Sequence, residues 1–225
     1  MGKVILITGT DTGVGKTYVG SLILKATLKS KINAFAIKPI ETGCQLLKNG
    51  TIIPNDALIY QQILSSNDIE ISQICLYMFH APLSPNIASR LSGNLPDIEE
   101  LKRRISLLSN EFELLLVEGA GGLMVEIIDG YHFGDLAREL DMELLLVAPD
   151  KLGVINHVSL NLEYIKRSQL HLRAIILNEI LNKPDPSKLY NEAELKRRFD
   201  KIQILKINYN ESDPSVILKV LNTPY

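Results

Sequence analysis

Short apolar runs alternate along this chain with longer amphipathic segments. Each run is continuous and rich in aliphatic residues, as expected of strands that are buried on both faces. The predicted strands are Val4–Ile7, Ala34–Ile37, Leu114–Val117, Leu144–Ala148, Ala174–Leu177 and Ile202–Ile207. The amphipathic segments predict helices over 17–29, 55–64, 98–109, 133–140, 154–168, 192–199 and 214–221.

This alternation predicts an α/β fold in which helices cover both faces of a mostly parallel central sheet, giving three layers. The chain has 225 residues, a length typical of one domain, and we expect residues 1–225 to form a single domain. Ligands of such folds bind at the carboxyl ends of the strands. The polar residues that follow each strand are therefore the first candidates for a functional site.

A glycine-rich turn follows the first strand and reads Gly9-Thr10-Asp11-Thr12-Gly13-Val14-Gly15-Lys16-Thr17. A turn of this kind between a strand and a helix is the usual setting of a phosphate-binding loop. Its backbone N–H groups and the helix N-terminus offer partial positive charge to a polyphosphate. Lys16 adds a full charge, and the Thr17 hydroxyl is suited to Mg²⁺. The turn predicts a nucleoside triphosphate site in a P-loop NTPase-like fold.

The spacing of this turn differs from the common pattern G-x-x-x-x-G-K-[ST], which would place a glycine at Thr10. Here the first glycine is Gly9, so the loop is one residue longer. The alternative is that the glycines only turn the chain and that Lys16 begins a solvated helix. The strand and helix on either side favour the phosphate site.

The segment after the second strand reads Lys38-Pro39-Ile40-Glu41-Thr42-Gly43. A lysine at the end of a buried strand is either a surface residue or a fixed cation that stabilises charge while a phosphoryl group moves. Thr42 can donate a hydroxyl hydrogen bond at the same place. The phosphate loop upstream favours the second interpretation of Lys38.

Two acidic residues are candidates for a metal site. Asp56 begins a predicted helix, where it is either an ordinary residue of the first turn or a hard oxygen ligand for Mg²⁺. Glu118 ends the apolar run Leu114–Val117 and precedes Gly119-Ala120-Gly121-Gly122. This is the arrangement of a Walker B acid, with Glu in place of Asp. The alternative for Glu118 is a solvated position at a glycine-rich strand end.

Composition limits the partners that we expect. The net charge of -2 gives no electrostatic reason to expect nucleic acid or an anionic membrane as a partner. The two cysteines, Cys44 and Cys75, lack metal-ligand spacing and fit a reducing compartment. The sequence shows neither a secretory signal nor an apolar run long enough to span a membrane. We therefore expect a soluble cytoplasmic protein.

Five motifs together resemble the dethiobiotin synthetases of biotin biosynthesis. Each motif alone is weak evidence, whereas five in the same order are specific. The resemblance runs from about residue 4 to residue 178, and the longer phosphate loop is a feature of that family. The motifs are Gly9-Thr10-Asp11-Thr12-x-Val14-Gly15-Lys16-Thr17, Lys38-Pro39-x-x-Thr42-Gly43, Asn55-Asp56-Ala57, Val117-Glu118-Gly119-Ala120-Gly121-Gly122 and Lys151-Leu152-Gly153-x-Ile155-Asn156-His157.

The resemblance implies an ATP- and Mg²⁺-dependent cyclo-ligase that carboxylates 7,8-diaminononanoate (7,8-diaminopelargonate) with CO₂. One amine takes up CO₂ as a carbamate, whose oxygen attacks the γ-phosphate of ATP to form a carbamic–phosphoric anhydride. The second amine then closes the ureido ring and expels phosphate. Such chemistry depends on positioning and electrostatic stabilisation rather than on a protein nucleophile.

The resemblance also implies roles for the matching residues. Lys38, Lys16 and Thr12 would be catalytic, and Mg²⁺ would be held directly or through water by Thr17, Asp56 and Glu118. The nucleotide site would comprise Thr12, Gly13, Val14, Gly15, Lys16, Thr17, Tyr18, Asp56, Glu118 and Asn178. The substrate site would comprise Thr12, Lys38, Thr42, Gly121, Gly153, Val154, Ile155 and Asn156.

The last four of these residues open a predicted helix. In the family, the corresponding helix N-terminus of the neighbouring subunit binds the carboxylate of the substrate, which is a dipole-based anion site. The resemblance therefore implies a homodimer with a shared active site. Taken by itself, Asn156 is more typical of a local helix cap than of a ligand.

The nucleobase site is less fully specified. Asn178, at the end of the fifth strand, matches the asparagine that recognises adenine in this family, although an asparagine is also a common turn residue. In many relatives the loop after the sixth strand reads close to Ile-Pro-Trp, whereas this chain has Ile207-Asn208-Tyr209. That loop borders the nucleobase, so the strictness of the preference for ATP stays open.

Two alternatives use the same fold. An amido-ligase of the cobyrinate-synthase type usually has a glutaminase domain, for which this chain has neither the length nor a suitable nucleophilic cysteine. A nucleotide switch resembling the partition or septum-placement ATPases would have a signature lysine where this chain has Asp11. Such switches also often have a basic membrane- or DNA-binding segment. Both alternatives predict nucleotide binding without a response to a diamine.

Overall fold

A computed structural model describes residues 2–64 and 69–221 of the chain. The strands in these residues are β1 (Lys3–Gly9), β2 (Ala34–Ile37), β3 (Ile40–Thr42), β4 (Gln45–Leu46), β5 (Ile52–Ile53), β6 (Tyr77–Phe79), β7 (Leu114–Glu118), β8 (Glu126–Ile128), β9 (Tyr131–His132), β10 (Glu143–Pro149), β11 (His171–Asn178) and β12 (Gln203–Ile207).

The helices of the same residues are α1 (Lys16–Lys29), α2 (Asn55–Leu64), α3 (Ile71–Ile74), α4 (Pro85–Ser92), α5 (Ile98–Glu111), α6 (Phe133–Glu139), α7 (Val154–Arg167), α8 (Asn191–Arg198) and α9 (Leu218–Leu221). Two 3-10 turns cover Pro186–Leu189 and Pro214–Ile217. None of these described helices is both long enough and apolar enough to cross a membrane.

Six strands form one parallel sheet in the order β12-β11-β10-β1-β7-β2. The chain runs from β1 to β2 at the edge, returns through β7, and then adds β10, β11 and β12 on the other side of β1. Because all six strands are parallel, their carboxyl ends lie along the same edge of the sheet. That edge is where ligands of such sheets bind.

The sheet has an apolar core on each face, which is why its strands are continuous apolar runs. Side chains alternate between the faces along a strand. Leu145 and Val147 of β10 lie in one buried cluster, together with residues of α1 and α5. Leu146 and Ala148 lie in a second cluster, together with residues of α7 and α8. The expectation of a three-layer fold with helices on both faces is confirmed.

All six predicted strands of the central sheet are present, each within three residues of its expected ends. Six of the seven predicted helices are present with similar bounds. The seventh predicted helix, over 214–221, is present within the same bounds, but its first turn is a 3-10 turn and only α9 is α-helical. The side chain of Asp213 accepts a hydrogen bond from the N–H of Ser215, and its carbonyl accepts one from Val216, which tightens the first turn.

Both cysteines are free and buried, as expected of packing residues. The Cys44 thiol donates to the carbonyl of Glu41, and the Cys75 thiol donates to the carbonyl of Tyr77. Burial raises the pKa of the Cys44 thiol to about 11. A thiol in this state is a poor nucleophile.

Candidate active site

A cavity of about 980 Å³ opens at the carboxyl edge of the sheet, beside the ends of β1, β2 and β7. Part of its wall comes from Ile59 of α2 and from residues 82–85 at the start of α4. The rest of the cavity wall includes eleven residues that the sequence predicts for a functional site. They are Thr12, Gly13, Gly15, Lys16, Thr17, Tyr18, Lys38, Thr42, Asp56, Glu118 and Gly121.

The phosphate loop joins β1 to α1 and forms one side of this cavity. Gly15 is the residue before α1 and has a φ of 89°, in the left-handed region that favours glycine. A Cβ atom at Gly15 would also lie 2.3 Å from Nδ2 of Asn178. No side chain caps the first turn of α1. The N–H groups of that turn are therefore suited to an anion.

Lys16 is the first residue of α1, and its side chain is buried beside the loop. Its Nζ atom lies 3.4 Å from the carbonyl oxygen of Asp11, to which it donates. Burial lowers the pKa of Lys16, and the nearby charge of Lys38 adds to this effect. A polyphosphate in the cavity would place negative charge directly against the ammonium group of Lys16.

Lys38 follows β2 and is only 5% exposed, so it is not a surface residue. Its Nζ atom donates to Oε1 of Glu118 at 2.7 Å and also to the carboxylate of Asp56. Burial alone would lower the pKa of Lys38, but the two carboxylates outweigh it, so this pKa is raised. Lys38 is therefore a fixed cation in the wall of the cavity.

Glu118 ends β7 and is 1% exposed, so its carboxylate is not solvated. Its Oε1 atom accepts hydrogen bonds from Lys38 and, at 2.8 Å, from the hydroxyl of Thr17. Its Oε2 atom accepts one from the hydroxyl of Tyr60 at 2.6 Å. Burial and the charge of Glu118 raise the pKa of Tyr60 well above its usual value, so this phenol stays protonated.

Asp56 lies in the first turn of α2, and its carboxylate contacts Lys38. Asp56 is thus a residue of the first helical turn, and its role as a ligand for Mg²⁺ stays a prediction. The buried side chain of Glu41 caps α2 from outside the helix, because it accepts hydrogen bonds from the N–H groups of Asp56 at 3.0 Å and Ala57 at 2.9 Å. This cap holds Asp56 in place beside Lys38.

Sequence reasoning missed Glu41 and Tyr60. Glu41 lies within the quoted segment Lys38–Gly43, but its partners belong to a different part of the chain. Tyr60 lies one helical turn after Asp56, a spacing that places two side chains on the same helix face. The sequence contains no other signal for Tyr60, and this spacing alone does not distinguish a site residue from a packing residue.

The donor set of this cavity suits Mg²⁺ in combination with a nucleotide. The hydroxyl of Thr17 and the carboxylates of Asp56 and Glu118 all lie around Lys38 or within hydrogen-bond distance of one another. Within residues 2–64 and 69–221, no group of three or more His, Cys, Asp or Glu side chains could hold a metal ion alone. Mg²⁺ typically uses one or two carboxylates and takes its other ligands from phosphates and water.

Asn178 is buried at the end of β11, beside the phosphate loop. Its Nδ2 atom donates to the carbonyl of Val14 at 2.9 Å. Its Oδ1 atom has no hydrogen-bond partner within the described residues. A buried amide oxygen without a partner is costly and is suited to accept from a ligand. Neither Val14 nor Asn178 is among the described residues that line the cavity of 980 Å³.

The structure does not bring the segment 153–156 to this cavity. Gly153 immediately precedes α7, and Asn156 is exposed in the first turn of that helix. A second cavity of about 380 Å³ shares Thr12 and Gly121 with the first one and reaches Leu160 and Tyr164 of α7. Within one chain, α7 therefore borders the cavity of about 380 Å³ rather than the cavity of about 980 Å³.

The parallel sheet, the phosphate loop and the buried acid at the end of β7 define a nucleotide-binding protein of the P-loop NTPase class. Solved structures of similar fold include a plasmid partition protein from Borrelia burgdorferi, with 14% identity over 98% of both chains and a TM-score of 0.59. Another is a chain of the MinC:MinD cell division protein complex from Aquifex aeolicus, with 17% identity over 98% of this chain and 85% of that chain and a TM-score of 0.52. At these identities the likeness shows the fold alone.

Sequence similarity defines the family more narrowly. A family model described as an AAA domain matches residues 3–212. The ATP-dependent dethiobiotin synthetase of Thermodesulfovibrio yellowstonii is 38% identical over 76% of this chain and 74% of that protein. The enzyme of the same name from Methanococcus vannielii is 33% identical over 98% of this chain and 100% of that protein. The chain belongs to the dethiobiotin synthetase family.

Proposed function

We propose that this chain is an ATP-dependent dethiobiotin synthetase, which uses CO₂ and ATP to close a ureido ring on 7,8-diaminononanoate. The observation that supports this most directly is the position of Lys38. Its buried ammonium group lies between the carboxylates of Glu118 and Asp56, in the wall of the cavity that the phosphate loop borders. A phosphoryl-transfer site needs a fixed cation of this kind beside the phosphates.

In the proposed reaction, one amine of the substrate takes up CO₂ and becomes a carbamate. A carbamate oxygen attacks the γ-phosphorus of ATP, and ADP leaves. The second amine attacks the carbonyl carbon of the resulting anhydride, which closes the ring and expels phosphate. The protein contributes position and charge: the phosphate loop and Lys16 hold the outer phosphates, and Lys38 stabilises the carbamate and the phosphoryl group in transfer.

Thr17, Asp56 and Glu118 would hold the Mg²⁺ that accompanies ATP, directly or through water. When bound, the metal ion neutralises charge on the phosphates. The two carboxylates would then interact with this second cation as well as with Lys38. The positive charge of Lys38 would in this way become available to the reacting groups.

Thr12, Thr42 and Gly121 would contact the diamine, since all three line the same cavity. We also propose a homodimer in which the segment 153–156 of a second copy completes the substrate site. The position of this segment outside its own chain's main cavity supports this arrangement. Leu152, which precedes α7, is 79% exposed and Leu160 is 61% exposed, so the proposed interface would cover both side chains.

The proposal places the enzyme in the cytoplasm, where ATP is available and where Cys44 and Cys75 stay reduced. A nucleotide switch is the second candidate, because the structural neighbours include partition and MinD proteins. Those neighbours share 14–17% identity with this chain, whereas relatives named dethiobiotin synthetase reach 38%. Sequence similarity therefore favours the ligase.

Product analysis tests this proposal. The protein would be incubated with ATP, Mg²⁺, 7,8-diaminononanoate and ¹³C-bicarbonate, and the products would be separated and examined by mass spectrometry. We expect a cyclic urea that contains a single ¹³C atom and that is absent when either ATP or the diamine is omitted. Consumption of ATP without any labelled urea would contradict the proposal.

A further inference from the structure

The two oxygens of Glu118 face different surroundings. Oε1 is turned toward the cavity, where it accepts from Thr17 and Lys38. Oε2 is turned toward the protein interior, where its described partner is the hydroxyl of Tyr60. Tyr60 is fully buried in α2, and its side chain is among the largest that are completely buried. A tyrosine hydroxyl therefore satisfies the oxygen of Glu118 that faces away from the site.

Gly20 provides the space for this contact. It lies in the interior of α1, where glycine is a poor choice because it lowers helix stability. A Cβ atom at Gly20 would lie 2.1 Å from Oη and 3.1 Å from Cζ of Tyr60, and 3.0 Å from Cδ1 of Ile7. Any larger residue would therefore displace the ring of Tyr60 from Glu118. The glycine in α1 and the tyrosine in α2 are complementary.

The helix that contains Tyr60 is itself fixed at the cavity. Its first turn is capped by Glu41 and contains Asp56, which contacts Lys38. One helix face thus delivers a carboxylate to Lys38 and, one turn later, a hydroxyl to Glu118. The two contacts thus reach both members of the buried ion pair of Lys38 and Glu118.

We propose that Tyr60 is a positioning residue that holds Oε2 of Glu118, so that Oε1 is presented toward Thr17 and the magnesium site. This inference rests on the proposed function, which assigns Mg²⁺ to that side of Glu118. A neutral hydroxyl is suited to the task because it satisfies a buried oxygen without adding a positive charge near the metal ion. Without it, the carboxylate is free to turn away from the site.

The test is the Tyr60→Phe variant, which removes the hydroxyl and keeps the ring. Its matched control is Tyr77→Phe, since Tyr77 is also buried and its hydroxyl donates to a carboxylate, that of Glu100 at 2.8 Å. Glu100 and Tyr77 are not among the residues that line either cavity. Isothermal titration calorimetry would give the Kd of ATP for each protein, once with Mg²⁺ and once with a chelator.

We expect Tyr60→Phe to raise the Kd of ATP in the presence of Mg²⁺ by roughly tenfold, as for loss of one hydrogen bond to a charged group. The Kd without Mg²⁺ should not change, and Tyr77→Phe should change neither value. In Gly20→Ala, the added Cβ atom should displace the ring of Tyr60 from Glu118. This variant should therefore also raise the Kd of ATP only in the presence of Mg²⁺. Thermal unfolding of each variant without ligand checks that it is folded.

An equal loss of affinity with and without Mg²⁺ would overturn the inference, because Tyr60 would then merely support the shape of the cavity. So would a Tyr60→Phe protein that binds ATP and Mg²⁺ as the native chain does. A native chain that binds ATP equally well with and without Mg²⁺ would overturn the proposed metal site, and this inference with it. The native titration therefore separates failure of the proposed function from failure of the role of Tyr60.

Discussion

Lys38 is a buried cation in the wall of the cavity, and its replacement is the sharpest test at the scale of one residue. We expect Lys38→Ala to lower kcat by about 10²–10³-fold, the loss typical of removing one charge-stabilising group at a reacting centre. The affinity for ATP should be largely kept, because the phosphate loop and Lys16 remain. Steady-state kinetics and calorimetry with ATP measure the two quantities separately.

Lys102→Ala is the matched control for this variant. Lys102 also interacts with two carboxylates, those of Glu99 and Glu139, but it is not among the residues that line either cavity. Its removal should leave both kcat and ATP affinity unchanged. If Lys38→Ala lost turnover and ATP affinity to the same degree, Lys38 would be a structural or nucleotide-binding residue rather than a catalytic one.

The sequence pointed to some site residues and not to others, for a physical reason. Lys38 and Glu118 each end or follow a buried strand, so the topology of a parallel sheet predicts that they meet at one edge. Glu41 and Tyr60 have no comparable signal. Each acts through a contact between distant segments. Glu41 of β3 caps α2, and Tyr60 of α2 contacts Glu118 of β7, so neither contact follows from a local pattern.

At the scale of elements, periodicity predicted the layers of the fold and missed its short connections. The central strands and α1, α5 and α7 are long enough for their apolar pattern to be clear. The pair β3 and β6 has three residues in each strand, and α3 has four. Elements of this length contain little more than one period of either pattern, which is too short to tell a strand from a helix. Their positions are set by tertiary contacts, such as the hydrogen bond from the N–H of Lys38 to the carbonyl of Ile74 in α3.

The packing of α1 against α2 gives a prediction about stability. Alanine in place of glycine in a helix interior ordinarily stabilises a protein by about 1 kcal/mol. At Gly20 we expect the opposite sign, because the new Cβ would displace the buried ring of Tyr60 at a cost of about 1–3 kcal/mol. Denaturant unfolding of the native chain and of Gly20→Ala would give the difference in free energy of unfolding.

The control for this prediction is the same substitution in a Tyr60→Leu background. A leucine does not extend to the position of the tyrosine hydroxyl, so Gly20→Ala should become neutral or stabilising there. A stabilising effect of Gly20→Ala in the native background would show that α1 and α2 adjust freely. The inference that Gly20 leaves the space needed by the ring of Tyr60 would then be wrong.

At the scale of the whole molecule, the proposed dimer predicts a coupling between association and substrate binding. We expect the double variant Leu152→Asp, Leu160→Asp to be monomeric in sedimentation equilibrium, because charged side chains would face the proposed interface. Its KM for the diamine should rise by at least about tenfold, since an anion site at a helix N-terminus would be lost. Its affinity for ATP should not change.

Leu107→Asp serves as the control for the dimer. Leu107 is 45% exposed and belongs to α5, which packs on β7, whereas α7 packs on β10. This variant should stay dimeric and active. A native chain that is monomeric at the concentration of the assay and turns over the diamine at full rate would contradict the shared site.

The central claim is that this chain couples ATP cleavage to ring closure on a diamine. The most direct test is the release of phosphate from ATP and Mg²⁺ in the presence of bicarbonate, with and without 7,8-diaminononanoate. We predict that phosphate release depends strongly on the diamine and that one phosphate appears for each cyclic urea formed. Phosphate release that is indifferent to the diamine would contradict the claim and would favour a nucleotide switch or a ligase for another substrate.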